Sequence, residues 1–475
     1  MSADTANPGA PTELKRVMGP KLLLLFIVGD ILGTGIYALV GQVAAEVGGA
    51  AWVPFLVAFA VAFVTAFSYL ELVTKYPQAA GAALYVHKAF GVHFFTFMVA
   101  FTVMCSGITS ASTAARAFAT NLAAGFEWNA DNTSVMLVAL GFMLLVAAIN
   151  LRGVSESVKA NVVLTLIELS GLVLVILVGV YAIAGGDADW GRVVAFETPE
   201  DKNVFLAVTT ATSLAFFAMV GFEDSVNMAE ECHEPNRIFP KMMLTGLSIT
   251  AVIYVAVSVC AVALVPVGRL EDTDQFGPPL VQVVAAGAPD VPADTILPFI
   301  SMFAVANSAL INMMMASRLL YGMAKQGVIP HSLAKVGHRR QTPYVAILFT
   351  TLISFGLIAY VSYASDDAIA VLGGTTSLLL LAVFAVVNVA VLVLRNDRVD
   401  HDHFRTRTGL AVIAAIACLY LVTPLSGRPA DQYEVAAYLL LLGLILSVPI
   451  FLMRRSRGED LLVEDPEDIP PHKLP

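Results

Sequence analysis

Six ionisable side chains, Asp30, Glu71, Arg116, Glu168, Glu223 and Asp224, fall inside long apolar runs of this chain. A charge at a bilayer centre costs about 2.5 to 3.5 kcal/mol on insertion scales, so each is kept against a penalty. They differ in depth. Glu71 and Arg116 lie near the ends of their runs, where a side chain can snorkel to the interface. Asp30 and Glu168 lie about 12 Å from the starts of theirs at 1.5 Å per residue, too deep for a short carboxylate to reach headgroups. A buried carboxyl favours its neutral form and can exchange a proton as a cavity around it opens and closes. The same placement would also suit a protonated carboxyl that pins two helices together.

The run Gly29-Asp30-Ile31-Leu32-Gly33-Thr34-Gly35-Ile36-Tyr37 carries a second chemistry. Its glycines let the backbone leave helical geometry, which frees N–H groups at the start of a half-helix. Those groups and the helix dipole would seat an anion such as a carboxylate. The run Phe216-Phe217-Ala218-Met219-Val220-Gly221-Phe222-Glu223-Asp224 would supply the reverse, carbonyls at a half-helix end that attract a cation. A ligand with a carboxylate and an ammonium about one bond apart fits both, which describes an α-amino acid. A phosphate loop is excluded, since Gly-x-x-x-x-Gly-Lys-Ser/Thr is absent. An aspartyl protease is excluded because Ile27 stands where Gly-x-Gly-Asp needs its first glycine. His401-Asp402-His403 reads as a solvated loop and Asn132-Thr133-Ser134 as a sequon meaningful only in a eukaryotic secretory route.

The elements that position these groups follow from composition. Of 475 residues, 58% are apolar and 13% charged, against about 25% charged in a soluble chain. Twelve runs are long enough to span a bilayer, each needing about 20 apolar residues. Five lie within 22–184, five within 204–394 and two within 409–453, between tails at 1–21 and 454–475. The first run has no small-residue cleavage site and is expected to be retained as a span. The tails and even-numbered connectors hold 22 of the 27 Lys and Arg. The opposite side holds only Arg192, Lys202, Arg269 and Arg428, and Arg116 lies within a span. The positive-inside rule therefore predicts both termini in the cytoplasm. The net charge of −10 carries no expectation of nucleic acid, and the four cysteines make no disulfide or metal framework.

The first and sixth runs each break near the middle, at Gly29, Gly33 and Gly35 and at Gly221 before Glu223 and Asp224. Each set of five also has its longest internal connector after its second helix. Five is odd, so two such sets have opposite orientations, the pattern of an inverted-repeat secondary transporter with its site at the paired broken helices.

These residues resemble the amino acid, polyamine and organocation transporter family, and within it the cationic amino acid transporter branch. The resemblance rests on Gly33-Thr34-Gly35-Ile36-Tyr37, on Lys75-Tyr76-Pro77 through Gly81-Ala82-Ala83-Leu84-Tyr85, and on Gly221-Phe222-Glu223 with Ala229-Glu230-Glu231. Pro235-Asn236-Arg237-Ile238-Phe239-Pro240 and the stretch from Ser317 to Pro330 add to it. The resemblance implies an all-α integral membrane protein of twelve transmembrane helices. Its core would be the five-plus-five inverted repeat of the leucine-transporter type with helices 1 and 6 broken, followed by two extra C-terminal helices. It implies an amino acid held by Gly33, Thr34, Gly35 and Ile36 on one side and Phe217, Ala218, Gly221 and Phe222 on the other, with Phe222 as an inner gate. Proton-coupled bacterial members often carry a lysine in the fifth span, where this chain has Glu168 within Thr165-Leu166-Ile167-Glu168-Leu169. A carboxylate there would carry a proton, hold a cation or favour a cationic substrate.

The expectation is a plasma-membrane permease, in the inner membrane if bacterial, that moves amino acids by alternating access with protons as the coupled ion. Glu168 is the first candidate for coupling, with Asp30 and Glu223 next. The alternatives are an amino acid or polyamine exchanger and a transporter-like nutrient sensor; sodium, held by hydroxyls such as Ser308, stays open. No enzyme activity, cofactor, metal or nucleic acid is expected, and the partners are the substrate, protons and the lipid bilayer.

Overall fold

Lipid offers the backbone no hydrogen bonds, so apolar runs must satisfy their own as helices. The computed structural model describes residues 18–77, 81–152, 157–199, 202–325, 329, 331–337, 342–365 and 367–456. Among these, eleven helices are long and apolar enough to cross a membrane, and no strand forms beyond one isolated bridge between Met18 and Cys232. The eleventh run folds as a shorter helix, Thr408–Val422. Its 15 residues reach about 22 Å, against a hydrocarbon core of about 30 Å. It stops there because Pro424 has no N–H to continue the ladder, and a 3-10 turn, Pro424–Ser426, follows. Most of the expected tails, at 1–17 and 457–475, lies outside the described residues.

The first span, Pro20–Val47, and the sixth, beginning with Val204–Ala215, sit at the centre. Their apolar windows are 83% and 78% buried inside the protein, against 39% for the fourth and fifth spans, which leave most of their surface for lipid. The second (Trp52–Lys75), seventh (Pro235–Leu264), third (His93–Gly125), eighth (Ala293–Lys325) and tenth (Ala368–Val393) surround them. Lipid tails are as apolar as leucine, so these contacts depend on small residues that bring backbones close. The third span shows this: Ala111, Ala114 and Ala115 are fully buried. Its Thr109, Ser112 and Thr113 hydroxyls bond back to carbonyls one turn earlier and bury no orphan donor.

Both breaks form. The first span leaves helical geometry at Gly33 alone, with φ −20° and ψ −143°, while Gly29 and Gly35 stay within the helix. The sixth span starts on an Asn203 cap, whose side chain accepts from the Leu206 N–H at 2.9 Å. It runs to Ala215, tightens into a 3-10 turn at Phe216–Met219, opens at Val220 and turns at Gly221 with φ +125°. A second 3-10 stretch, Asp224–Glu231, continues it.

Two charges expected to snorkel are instead enclosed. Glu71 pairs with Arg395 at 3.3 Å and accepts the Thr406 N–H at 2.8 Å, so the connector after the tenth span is docked on the end of the second. Arg116 donates to Ser362 Oγ at 3.0 Å and to Asn132 Oδ1 at 2.9 Å. Asn132 in turn donates to the Ser362 carbonyl at 2.7 Å, so the sequon asparagine uses both ends of its amide inside the protein. Side chains long enough to reach water are held back because neighbouring helices supply closer partners.

Candidate functional site

The two broken helices meet at their breaks. A Cβ on Gly221 would lie 2.8 Å from the Asp30 carbonyl carbon and 3.0 Å from the Ile31 nitrogen, and one on Gly35 would lie 2.4 Å from Ala218 Cα. Both are backbone against backbone, so nothing flexible could yield. Gly33 faces the eighth span, where a Cβ would come within 2.1 Å of Ser308 Oγ.

Between these contacts is a small, narrow cavity. The first span lines it with Asp30, Ile31, Gly33, Thr34 and Gly35 and the sixth with Phe217, Val220, Gly221 and Asp224. Ser110 of the third span and Ser308 and Asn312 of the eighth complete it. Asp30 is 7% exposed, and its Oδ2, the Thr34 hydroxyl and the Ser308 hydroxyl are buried without a hydrogen-bond partner among the described residues. Polar atoms buried at that cost point to something they are meant to bind.

Six of the expected site residues line this cavity: Gly33, Thr34, Gly35, Phe217, Gly221 and Asp30. Ile36, Ala218, Phe222, Glu223 and Glu168 do not. Ile36 is fully buried and Ala218 packs beneath Gly35. Phe222 is turned away, its ring 5.7 Å from Tyr69 and 5.3 Å from Phe384 in an aromatic cluster. Glu223 bends back so that its Oε2 accepts the Gly221 N–H at 2.9 Å, which satisfies a donor freed by the break.

A second cavity opens toward the connector helix Gly81–Phe90. Tyr69, Ala82, Ala83, Glu223, Asp224 and Asn227 are among its walls. Asp224 borders both cavities and so stands between them.

Glu168 lies apart from both. It is fully buried, and among the described residues neither carboxyl oxygen has a hydrogen-bond partner. Its carbonyl accepts from the Tyr37 hydroxyl at 2.9 Å, which ties the fifth span to the half of the first beyond the break. Besides Glu168, the acidic groups here are Asp30 and Asp224 of the first cavity and Glu223 of the second. Among the described residues no Lys or Arg forms an ion pair with any of the four.

Sequence reasoning passed over Ser110 and Asn312. Ser308 and Asn312 are four apart and so share a helix face, a signal the sequence does contain. Ser110 sits among many similar small residues of the third span and carries no such mark.

A family model described as amino acid permease matches residues 20–446. The methylthioribose transporter of Bacillus subtilis is 26% identical over 87% of this chain and 89% of its own. The branched-chain amino acid permease BcaP of Bacillus subtilis is 25% identical over 94% and 95%. The vacuolar cationic amino acid transporter 4 of Arabidopsis thaliana is 27% identical over 81% of this chain and 64% of its own. These relatives are membrane transporters.

Proposed function

The chain belongs to the amino acid permease family, and from that membership we propose that it is a secondary active transporter that carries amino acids across the plasma membrane by alternating access, driven by protons. The observation that carries the reading is the meeting of the two broken helices around a cavity whose Asp30, Thr34 and Ser308 side chains have polar atoms without a partner among the described residues. N–H groups freed beyond Gly33, with the Thr34 hydroxyl, take the substrate carboxylate, and the carbonyls around Phe217 to Val220 take its ammonium. Residues 22–184 and 204–394 serve as two inverted repeats, with both termini in the cytoplasm. Phe222, Tyr69 and Phe384 form the closed layer on the cytoplasmic side of Gly221, and Asp224 lies on the way through.

Glu168 is the coupling group in this reading. An ionised carboxylate with no partner in a dry interior is strongly disfavoured, so it carries its proton in this conformation and releases it when water reaches it. Asp30 and Glu223 are the next candidates. Purified protein in empty liposomes, given a panel of labelled amino acids with and without an inward proton gradient and no sodium, tests the assignment. Accumulation that needs the gradient supports it.

A second reading is an exchanger for amino acids or polyamines. It is favoured by one observation, that Asp30 and Asp224 both face the cavity and neither pairs with a Lys or Arg among the described residues. Uptake that requires preloaded substrate would select it.

A further inference from the structure

Arg428 stands in the loop between the last two helices, on the side where cations are few and water is near. Its side chain is nevertheless only 5% exposed, and all five N–H donors are engaged. Nε donates to the Leu421 carbonyl at 3.3 Å; Nη1 donates to the Gly374 carbonyl and to Gln432 Oε1, both at 2.7 Å. Nη2 donates to Ser377 Oγ at 3.1 Å and, more weakly, to the Ser213 carbonyl at 3.5 Å. None of the five acceptors is a carboxylate. Leu421 and Ser213 lie in the last turns of Thr408–Val422 and Val204–Ala215, so the cation sits where the negative ends of two helix dipoles converge. Burial pushes the guanidinium down to about 10, which leaves it charged at neutral pH.

The loop around it is fastened to the same helices. Thr209 and Thr210 both donate to the Ser426 carbonyl at 3.1 Å, and Ser377 Oγ donates to the Ser213 carbonyl at 2.5 Å. Two residues past Ser213 the sixth helix ends and gives way to the turn that lines the cavity. Gly373, next to Gly374, lies against both the Phe217 ring and Leu39 of the first span. One guanidinium thus joins the half-helix Val204–Ala215 to the tenth span at the edge of the site.

We propose that Arg428 is a positioning residue for transport: it latches Val204–Ala215 to Ala368–Val393 and so keeps the Arg428 side of the cavity closed. With every donor used inside the protein, it has none for a substrate. The proposal rests on the transporter reading for its role in turnover, but the latch is measurable without any substrate.

The reporter is Leu39→Cys, a buried position of the first span beside Gly373 of the latched tenth span, labelled by a membrane-impermeant maleimide in right-side-out and inside-out vesicles; all four native cysteines are buried. Arg428→Gln is expected to speed labelling from one face by about tenfold, with Arg428→Lys between it and the parent, as a shifted open–closed equilibrium requires. The maximal rate of uptake falls while KM does not rise. Ser377→Ala, which removes two of the bonds without touching the charge, moves labelling the same way. Unchanged labelling in both Arg428→Gln and Ser377→Ala overturns the latch, as does a raised KM with an unchanged maximal rate, which would make Arg428 a substrate contact. If Arg428→Gln fails to assemble, Ser377→Ala decides alone. Faster labelling in a protein that takes up no amino acid keeps the latch and rejects the transport reading.

Discussion

Gly221 rests on the peptide that links Asp30 to Ile31, so close that a methyl group would lie 2.8 Å from the Asp30 carbonyl carbon. The turn that breaks the sixth span and the residue that brings a carboxyl to the cavity are therefore one contact. Its φ of +125° is open to glycine and strained for other residues.

Gly221→Ala combines that strain with a backbone clash. It is expected to abolish uptake and to cost about 1 to 3 kcal/mol of stability. Uptake in liposomes and thermal unfolding of the purified variant measure the two effects; an alanine that transports normally would show that the sixth span does not need this turn.

Gly33 and Ser308 form a testable pair, since a Cβ on one would overlap the hydroxyl of the other. Gly33→Ala should reduce transport severely, and adding Ser308→Gly should recover a measurable part of it. Coupling of about 0.5 to 3 kcal/mol between contacting residues is the expected scale in the double-mutant cycle. Strict additivity would mean that the two do not meet.

Glu168→Gln keeps the shape of the side chain but cannot release a proton. Gradient-driven accumulation is expected to be lost while exchange of internal for external substrate persists. Uptake by the parent should rise as external pH falls, because the carrier turns inward loaded only when Glu168 is protonated, and the variant should be flat. Full accumulation in the variant would move the coupling to Asp30 or Glu223.

Glu71 both pairs with Arg395 and accepts the Thr406 N–H in a buried setting. Glu71→Ala leaves that buried N–H without its acceptor, for a loss of about 1 to 3 kcal/mol, while Arg395, 28% exposed, keeps its bonds to Thr408 and to the Thr406 carbonyl and adds little. Glu71→Gln, which can still accept, should recover part of it. Equal melting temperatures for Ala and Gln would assign the effect to charge rather than to the cap.

How much could be read before folding differs from residue to residue. Gly221 was readable because it stands alone in its apolar run, whereas Gly29, Gly33 and Gly35 looked alike, and only Gly33 leaves helical geometry while the other two are packing positions within the helix. Glu71 and Arg116 were read from their depth alone, and depth does not tell whether Arg395 or Ser362 is nearer than water. Arg428 looked like an ordinary loop cation. Its acceptors are at 213, 374, 377, 421 and 432, and only the last two are close in the chain.

The sequence by itself determined the membrane class, the places of the spans and the two interruptions. Each follows from local properties: apolar length against the thickness of a bilayer, glycine where a helix can yield, and a charge where it is costly. Only the tertiary structure decided that Asp30 and Asp224 share a cavity, that the Glu168 carboxyl stands outside it with no hydrogen-bond partner among the described residues, and that Phe222 turns toward Tyr69 and Phe384. Those outcomes depend on how helices from distant parts of the chain rotate and cross. In lipid, where every helix face is similarly apolar, that is settled by close contacts such as Gly221 on Asp30, which no periodicity within one span records.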